Sequence, residues 1–147
     1  MSVKLTRRIL DGLTRERLSL LFCRAMTFFA VQGAYVGLTY AFAGPGIGPD
    51  SFLTGFRLDP LHAVVHFALG VAGAYVGFFR PGRAVFFTRF FAVFYLTLAF
   101  FGTFTDVHFG MRLGLSENSL HWSLGALTAM IGFLPIFPRN EVTQIQA

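Results

Sequence analysis

Long apolar runs alternate with short polar or glycine-rich segments along this chain of 147 residues. The runs cover residues 25–43, 61–79, 84–104 and 120–137, and within them only Arg89 carries a charge. Each run has about the 20 residues that an α-helix needs to cross the hydrocarbon core of a bilayer. The pattern therefore predicts an all-α membrane protein, a bundle of four transmembrane helices.

The residues before the first run have a different pattern. Leu5, Ile9 and Leu13 recur at helical spacing, and basic side chains lie on the opposite face. This arrangement is typical of an amphipathic helix that lies on a membrane surface. We therefore expect residues 1–24 to form a cytoplasmic, interfacial segment of one membrane domain that covers residues 1–147.

The positively charged residues are distributed unevenly. Ten of the 12 Lys and Arg residues precede the first run, lie near the turn between the second and third runs, or follow the fourth. The two other connections hold only Arg57 and Arg112. Because Lys and Arg accumulate on the cytoplasmic side of membrane proteins, we expect both termini to be cytoplasmic. The membrane expected is a bacterial inner membrane, either plasma or intracytoplasmic.

The composition agrees with a lipid environment and excludes several function classes. Hydrophobic residues make up 54% of the chain and charged residues 13%, whereas soluble domains are about 25% charged. The net charge of +5 comes from residues at the membrane edges, so no nucleic-acid partner is expected. Cys23 is the only cysteine. It excludes an intrachain disulfide and a multi-cysteine metal site, and we expect its thiol to be buried.

Histidines mark the starts of the second and fourth runs. His62 and His66 are four residues apart and share one helix face, and His121 enters the fourth run at a similar depth. If the two helices are neighbours, the three imidazoles converge just inside the outer leaflet. Three roles stay open: hydrogen bonds to carbonyls or carboxylates, ligation of a metal or haem, and proton transfer. Gln32, the only amide in the runs, is expected to bond to a neighbouring helix.

The second and fourth runs also begin alike. Asp59 and Asn118 each precede a histidine by three residues, and both are predicted helix caps. Residues 66–70, HFALG, also match residues 121–125, HWSLG. This duplication predicts two tandem helical hairpins. The glycines expected to let neighbouring helices pack closely are Gly33, Gly37, Gly70, Gly73, Gly77 and Gly125.

Aromatic side chains dominate the apolar surface. The chain has 20 phenylalanines, and they are most frequent in residues 84–104. Such a surface would suit lipid, a partner helix, or a carotenoid, quinone or chlorophyll-type pigment. The spacing of the phenylalanines selects no particular cofactor, and the simplest expectation is that the protein has no cofactor. The sequence has no nucleophile elbow, phosphate loop, paired carboxylates or HExxH motif. We therefore expect no enzymatic activity.

Two short motifs connect the chain to a known family. Residues 56–73 contain an LHxxxHxxxG element, and residues 117–125 contain an NxxHxxxG element. With residues 94–96, FYL, and Gly102, they make the chain resemble the DUF4383 family of small bacterial four-helix membrane proteins. The resemblance covers about residues 45–137 and implies the four-helix fold. It implies no activity, because the family has none assigned.

These observations predict a non-catalytic integral membrane subunit or scaffold that packs against a larger membrane assembly, respiratory or photosynthetic. The expected partners are the lipid bilayer and either other membrane-protein subunits or further copies of the chain. The alternative function is a haem-, metal- or pigment-binding membrane protein. In that case the ligands are His62, His66 and His121.

Overall fold

Every element in the described part of the chain is helical. The computed structural model describes residues 14–43, 59–104, 109–111 and 114–134. No strand occurs among these residues, in agreement with the predicted all-α class. The described helices are α1 (Arg15–Ala25), α2 (Thr27–Ala43), α3 (Pro60–Phe79), a 3-10 turn (Pro81–Arg83), α4 (Ala84–Phe104) and α5 (Leu115–Phe133).

Helices α1 and α2 are nearly continuous. Only Met26 separates them, and its N–H donates to the Phe22 carbonyl at 3.1 Å. The Met26 carbonyl in turn accepts from the Ala30 N–H at 3.2 Å. The helical hydrogen bonding therefore passes through the junction, and the helix begins at Arg15, ten residues before the predicted start of the first span.

Capping chemistry explains why α1 begins where it does. The Thr14 side chain accepts a hydrogen bond from the Arg17 N–H at 3.3 Å, and Glu16 complements the positive end of the helix. Ser19 and Cys23 are buried against the other helices. This part of the predicted interfacial segment therefore packs within the bundle. The amphipathic pattern before Thr14 lies outside the described residues.

Three helical stretches are long and apolar enough to cross a membrane. They are Arg15–Phe42, Pro60–Phe79 and Pro81–Phe104. The fourth predicted span is present as α5 but is not among them, because its first two turns contain Glu117 and several serines. Helix α5 also begins five residues before the predicted start of that span.

The helices pack as two hairpins. Helix α2 lies along α3, and α4 lies along α5, while α1 contacts α3, α4 and α5. Cys23, Met26, Phe91 and Tyr95 belong to the main buried cluster, where α1 meets the second hairpin. The order of hairpins agrees with the internal duplication of the sequence.

Glycines let α2 and α3 approach closely. A Cβ atom on Gly33 would lie 2.5 Å from the Phe67 nitrogen and 2.6 Å from the Ala63 carbonyl oxygen. A Cβ atom on Gly70 would overlap the backbone of Ala30. Because backbone atoms cannot rotate away as side chains do, this helix spacing requires glycine at both positions.

The other predicted packing glycines differ among themselves. At Gly73, Gly77 and Gly125, a Cβ atom would meet a neighbouring helix at 2.9 Å or less. At Gly37, no neighbouring atom lies within 4 Å of the Cβ position in the part of the chain that the structure describes. The packing role predicted for Gly37 therefore has no contact there to support it.

Arginine side chains bind the C-terminal ends of α3 and α5. Arg24 Nε donates to the Gly77 carbonyl at 3.1 Å, and Arg89 Nε donates to the Gly132 carbonyl at 2.7 Å. Each guanidinium also lies over the phenylalanine that follows the glycine, at 5.6 and 5.3 Å from the ring centroid. Positive charge at a helix C-terminus is stabilising. In both hairpins, the carbonyl that accepts from the arginine lies in the last turn of the second helix.

The Arg89 contact makes a testable contribution to stability. Replacing Arg89 by methionine keeps the apolar stem but removes the donor to Gly132, so we expect a loss of about 1–2 kcal/mol. Unfolding of the detergent-solubilised protein, followed by circular dichroism, measures the change. Arg83→Met is the control, because Arg83 is exposed in the 3-10 turn. Equal losses for the two variants would contradict the role of the Arg89 hydrogen bond.

Candidate metal centre

The N-terminal turns of α3 place two of the histidines. Asp59 is the N-cap, as the sequence predicts, and its side chain accepts from the His62 N–H at 3.0 Å. Pro60 occupies the first turn, where no amide donor is needed. His62 and His66 then follow one turn apart on the buried face of α3, with ring centroids 4.6 Å apart.

Helix α5 brings His121 to the same place. Its ring centroid lies 5.5 Å from that of His62. One ring nitrogen from each of His62, His66 and His121 lies within 4.8 Å of the other two. The side chains are 1–3% exposed, so the cluster is closed to the surroundings. The structure therefore brings together all three histidines that the sequence singled out.

Two polar side chains from other helices contact His66. The Gln32 side-chain oxygen on α2 lies 3.3 Å from His66 Nδ1, and the Tyr95 hydroxyl on α4 lies 3.5 Å from His66 Nε2. An amide oxygen only accepts, so His66 Nδ1 carries the hydrogen and donates to Gln32. His66 Nε2 is then unprotonated, and its lone pair faces the Tyr95 hydroxyl. The bond between helices that the sequence predicts for Gln32 is made to His66.

The other two histidines have ring nitrogens without hydrogen-bond partners among the described residues. Among the described residues, both ring nitrogens of His62 and Nδ1 of His121 are buried without a partner. A buried polar group without a hydrogen bond costs about 1–3 kcal/mol. Three carboxylates could serve as partners. Asp59 and Glu117 act electrostatically on His62, but neither forms a hydrogen bond with its ring nitrogens, and Asp106 lies outside the described residues. A purely structural role therefore leaves these nitrogens without hydrogen bonds among the described residues.

Aromatic side chains fill the space around the cluster. The Phe29 ring lies 5.0 Å from the His66 ring, and the Tyr95 ring lies 5.0 Å from the His121 ring, both as centroid distances. Tyr95 is itself stacked on Phe91 at 3.9 Å. Rings packed this closely favour a small ligand, such as a metal ion, over a flat macrocycle.

The geometry is close to that of a metal site. Ligands at about 2.0–2.1 Å from a tetrahedral ion lie about 3.3–3.4 Å from one another. The three nitrogens lie within 4.8 Å, so small rotations of the imidazoles bring them to that spacing. Neutral imidazole suits zinc, copper, iron and nickel. The hydrogen bond from His66 to Gln32 is the kind of outer contact that orients a metal ligand.

One site prediction is wrong. Asn118 does not cap α5, because the helix begins one turn earlier with Gly114 as its N-cap. The Asn118 side chain instead donates to Thr103 Oγ1 at 2.6 Å and to the Ala99 carbonyl at 3.3 Å. It therefore joins α5 to α4 close to the histidine cluster.

Tyr95 is the site residue that sequence reasoning missed. It is 1% exposed. In the third run it is surrounded by phenylalanines, so the hydrophobic pattern of the sequence does not distinguish it from its neighbours. Two signals were available. Tyr95 belongs to the FYL stretch that carries the family resemblance, and it is the one tyrosine in that run, where a phenol needs a hydrogen-bond partner.

The fold and site define a class of protein: a helical bundle with three apolar, membrane-length helices and a buried three-histidine cluster. The family model described as "Domain of unknown function (DUF4383)" matches residues 16–134. The chain belongs to this family, in agreement with the resemblance noted in its sequence. No curated protein and no solved structure matches the chain.

Proposed function

We propose that this chain is a membrane protein that binds one transition-metal ion through His62, His66 and His121. The observation that carries the proposal is the convergence of three buried imidazoles, two of which keep ring nitrogens without hydrogen-bond partners among the described residues. Burying such groups is costly. Metal coordination supplies the missing partners and thereby offsets that cost.

The chemistry of the ligands narrows the class of metal. Calcium and magnesium take oxygen ligands, whereas imidazole nitrogen favours zinc, copper, iron and nickel. The single cysteine, Cys23, is buried beside the Ala84 carbonyl at 3.7 Å and is not part of the cluster. A nitrogen-rich site without thiolate therefore supports a first-row transition metal.

Metal analysis tests the proposal. The full chain is purified from membranes in mild detergent, dialysed against a chelator, and then titrated separately with Zn²⁺ and Cu²⁺. We expect one ion bound per chain by elemental analysis after gel filtration. Binding of less than a tenth of an ion per chain to either metal would contradict the proposal.

Gln32 provides a separate prediction for the same site. Replacing Gln32 by leucine removes the acceptor of the His66 Nδ1–H, and loss of such an outer contact lowers metal affinity about 10- to 100-fold. The matched control is Val31→Leu, because Val31 is 63% exposed on the same helix. Competition with a chromophoric chelator measures both dissociation constants. Equal affinities in the two variants would show that Gln32 does not support the site.

The membrane placement is part of the proposal. The three apolar helical stretches, with α5 as a fourth, are proposed to cross a bacterial inner membrane with both termini cytoplasmic. The charge distribution supports this orientation, because ten of 12 Lys and Arg residues fall on the proposed inner side. The histidine cluster then lies near the outer leaflet. C-terminal fusions to a reporter active only in the cytoplasm test the orientation, and an inactive, stably inserted fusion would contradict it.

A role as an accessory membrane subunit is the second candidate. Ser119 and Ser123 are exposed on α5, and small residues are typical of contacts between membrane helices. Because the one native cysteine is buried, a single Ser123→Cys variant is suited to disulfide crosslinking in membranes. A variant that stays monomeric and forms no crosslink to any protein would contradict this role.

A further inference from the structure

We propose that the Tyr95 hydroxyl oxygen is the fourth ligand of the metal ion, an inference that rests on the proposed function. The oxygen lies 3.5 Å from His66 Nε2. Protein hydrogen bonds between nitrogen and oxygen atoms are usually about 2.7–3.2 Å long, so this contact is long for one. Two ligands of one tetrahedral ion are about 3.3–3.4 Å apart. The observed separation agrees with neighbouring ligands.

The hydrogen bond from His66 to Gln32 determines which ring nitrogen of His66 faces Tyr95 without a hydrogen. Gln32 accepts at His66 Nδ1, 3.3 Å away, which leaves Nε2 as the ligating atom. Nε2 is also the nitrogen that faces the Tyr95 hydroxyl. The lone pair of His66 and the oxygen of Tyr95 therefore lie side by side, as two ligands of one ion must.

The packing of Tyr95 holds its oxygen in place. The side chain is 1% exposed, and its ring is stacked on Phe91 with centroids 3.9 Å apart and planes 23° apart. The ring of His121 lies nearly perpendicular to it, with centroids 5.0 Å apart. Locked rotamers of this kind hold a ligand near its binding position before the ion arrives.

Charge gives a reason for an anionic ligand. Three neutral imidazoles do not reduce the charge of a divalent ion, and burial of charge is costly. The carboxylates of Asp59 and Glu117 act on His62 but are not among the groups close enough to be ligands. The cluster also lies near the N-termini of α3 and α5, whose positive ends oppose a cation. When the oxygen–metal bond forms, the O–H bond breaks and the proton leaves to water. The bound phenolate then lowers the net charge of the site by one.

The fourth ligand determines what kind of centre this is. A site with three protein ligands and an open position suits catalysis, whereas four protein ligands close the coordination sphere. With Tyr95 bound, the centre joins the N-terminal halves of α3 and α5 to the middle of α4 and has no position for a substrate. We therefore infer a closed centre with a structural or electron-transfer role.

Optical spectroscopy tests the fourth ligand. A phenolate bound to Cu²⁺ or Fe³⁺ gives a visible charge-transfer band, so the full chain in detergent is loaded with each ion alone. We expect a visible band for the unaltered chain and its loss in Tyr95→Phe, with one Cu²⁺ still bound. The control is Tyr35→Phe, because Tyr35 is 56% exposed, and it is expected to keep the band.

The outcomes separate this inference from the proposed function. Binding of one Cu²⁺ per chain without a phenolate band in the unaltered chain would overturn the fourth ligand and leave the three-histidine site standing. An absence of metal binding would overturn both. Resonance Raman spectra of the unaltered chain with ring-deuterated tyrosine need no variant. An isotope shift of the tyrosinate modes supports Tyr95 as a ligand even if Tyr95→Phe does not fold, and unshifted modes would contradict it.

Discussion

Replacing His62 by leucine is expected to weaken metal binding about 100-fold and to make the metal-free protein more stable. Zinc binding by four protein ligands yields about 10–16 kcal/mol, or about 3 kcal/mol per ligand, and each 1.4 kcal/mol is a factor of ten. In the metal-free protein, both ring nitrogens of His62 are buried without partners among the described residues. An apolar side chain of similar size removes that cost, so we expect a gain of about 1 kcal/mol.

A loss of metal affinity together with a gain in the stability of the metal-free protein distinguishes a metal ligand from a structural histidine. A His62 that stabilised the fold by hydrogen bonds would lower stability when replaced, with or without metal. Chelator competition measures the affinity, and unfolding in mild detergent with a chelator present measures the stability. Phe67→Leu is the control, because Phe67 is 45% exposed on the same helix. A less stable metal-free His62→Leu protein with unchanged affinity would contradict the proposed site.

Replacing Gly70 by alanine is expected to give the largest loss of stability among the glycine-to-alanine substitutions in the α2–α3 hairpin, because the closest backbone approach there is at Gly70. The added Cβ atom would overlap the backbone of Ala30, so α2 and α3 must separate along their contact. Overpacking in a close contact costs about 1–3 kcal/mol. We expect a loss of about 3 kcal/mol, because the added Cβ atom meets backbone atoms, which cannot rotate away. Separation of α2 from α3 also moves Gln32 away from His66, so metal affinity falls as well.

Gly37→Ala is the matched control for this substitution. Both variants replace a glycine of the α2–α3 hairpin by alanine. At Gly37, however, no described atom of a neighbouring helix lies within 4 Å of the Cβ position. Alanine also favours a helix over glycine by about 0.8–1.0 kcal/mol. We therefore expect Gly37→Ala to be neutral or slightly stabilising in detergent unfolding. Equal stability of the two variants would contradict the close approach of α2 and α3.

The sequence predicted much of the fold because its hydrophobic runs are long. The starts of α3 and α4 were predicted within one residue, since Asp59-Pro60 and Pro81-Gly82 interrupt the pattern. The starts of α1 and α5 were not. Arg15 and Glu117 lie inside helices, but their charges made those stretches look like segments outside a span. Helix formation there depends on packing against other helices, which a hydropathy pattern does not contain.

The candidate site was predicted in part. The spacing of His62 and His66 and their likeness to the region of His121 were enough to anticipate the cluster. The contacts of Gln32 and Tyr95 depend on how α2 and α4 pack against α3, and no local pattern encodes that. The unpartnered nitrogens of His62 are likewise a property of the three-dimensional surroundings. Of the three roles that the sequence left open for the histidines, these unpartnered nitrogens favour ligation of a metal.

X-ray absorption spectroscopy of the zinc-loaded chain tests the central claim most directly. The metal centre predicts three imidazole nitrogens at about 2.0–2.1 Å from one ion per chain, with the multiple scattering that imidazole rings produce. In His62→Leu, the imidazole contribution is expected to fall by a third or to vanish with the bound metal. A zinc ion surrounded only by water or detergent oxygens, or an identical spectrum in His62→Leu, would contradict the three-histidine centre.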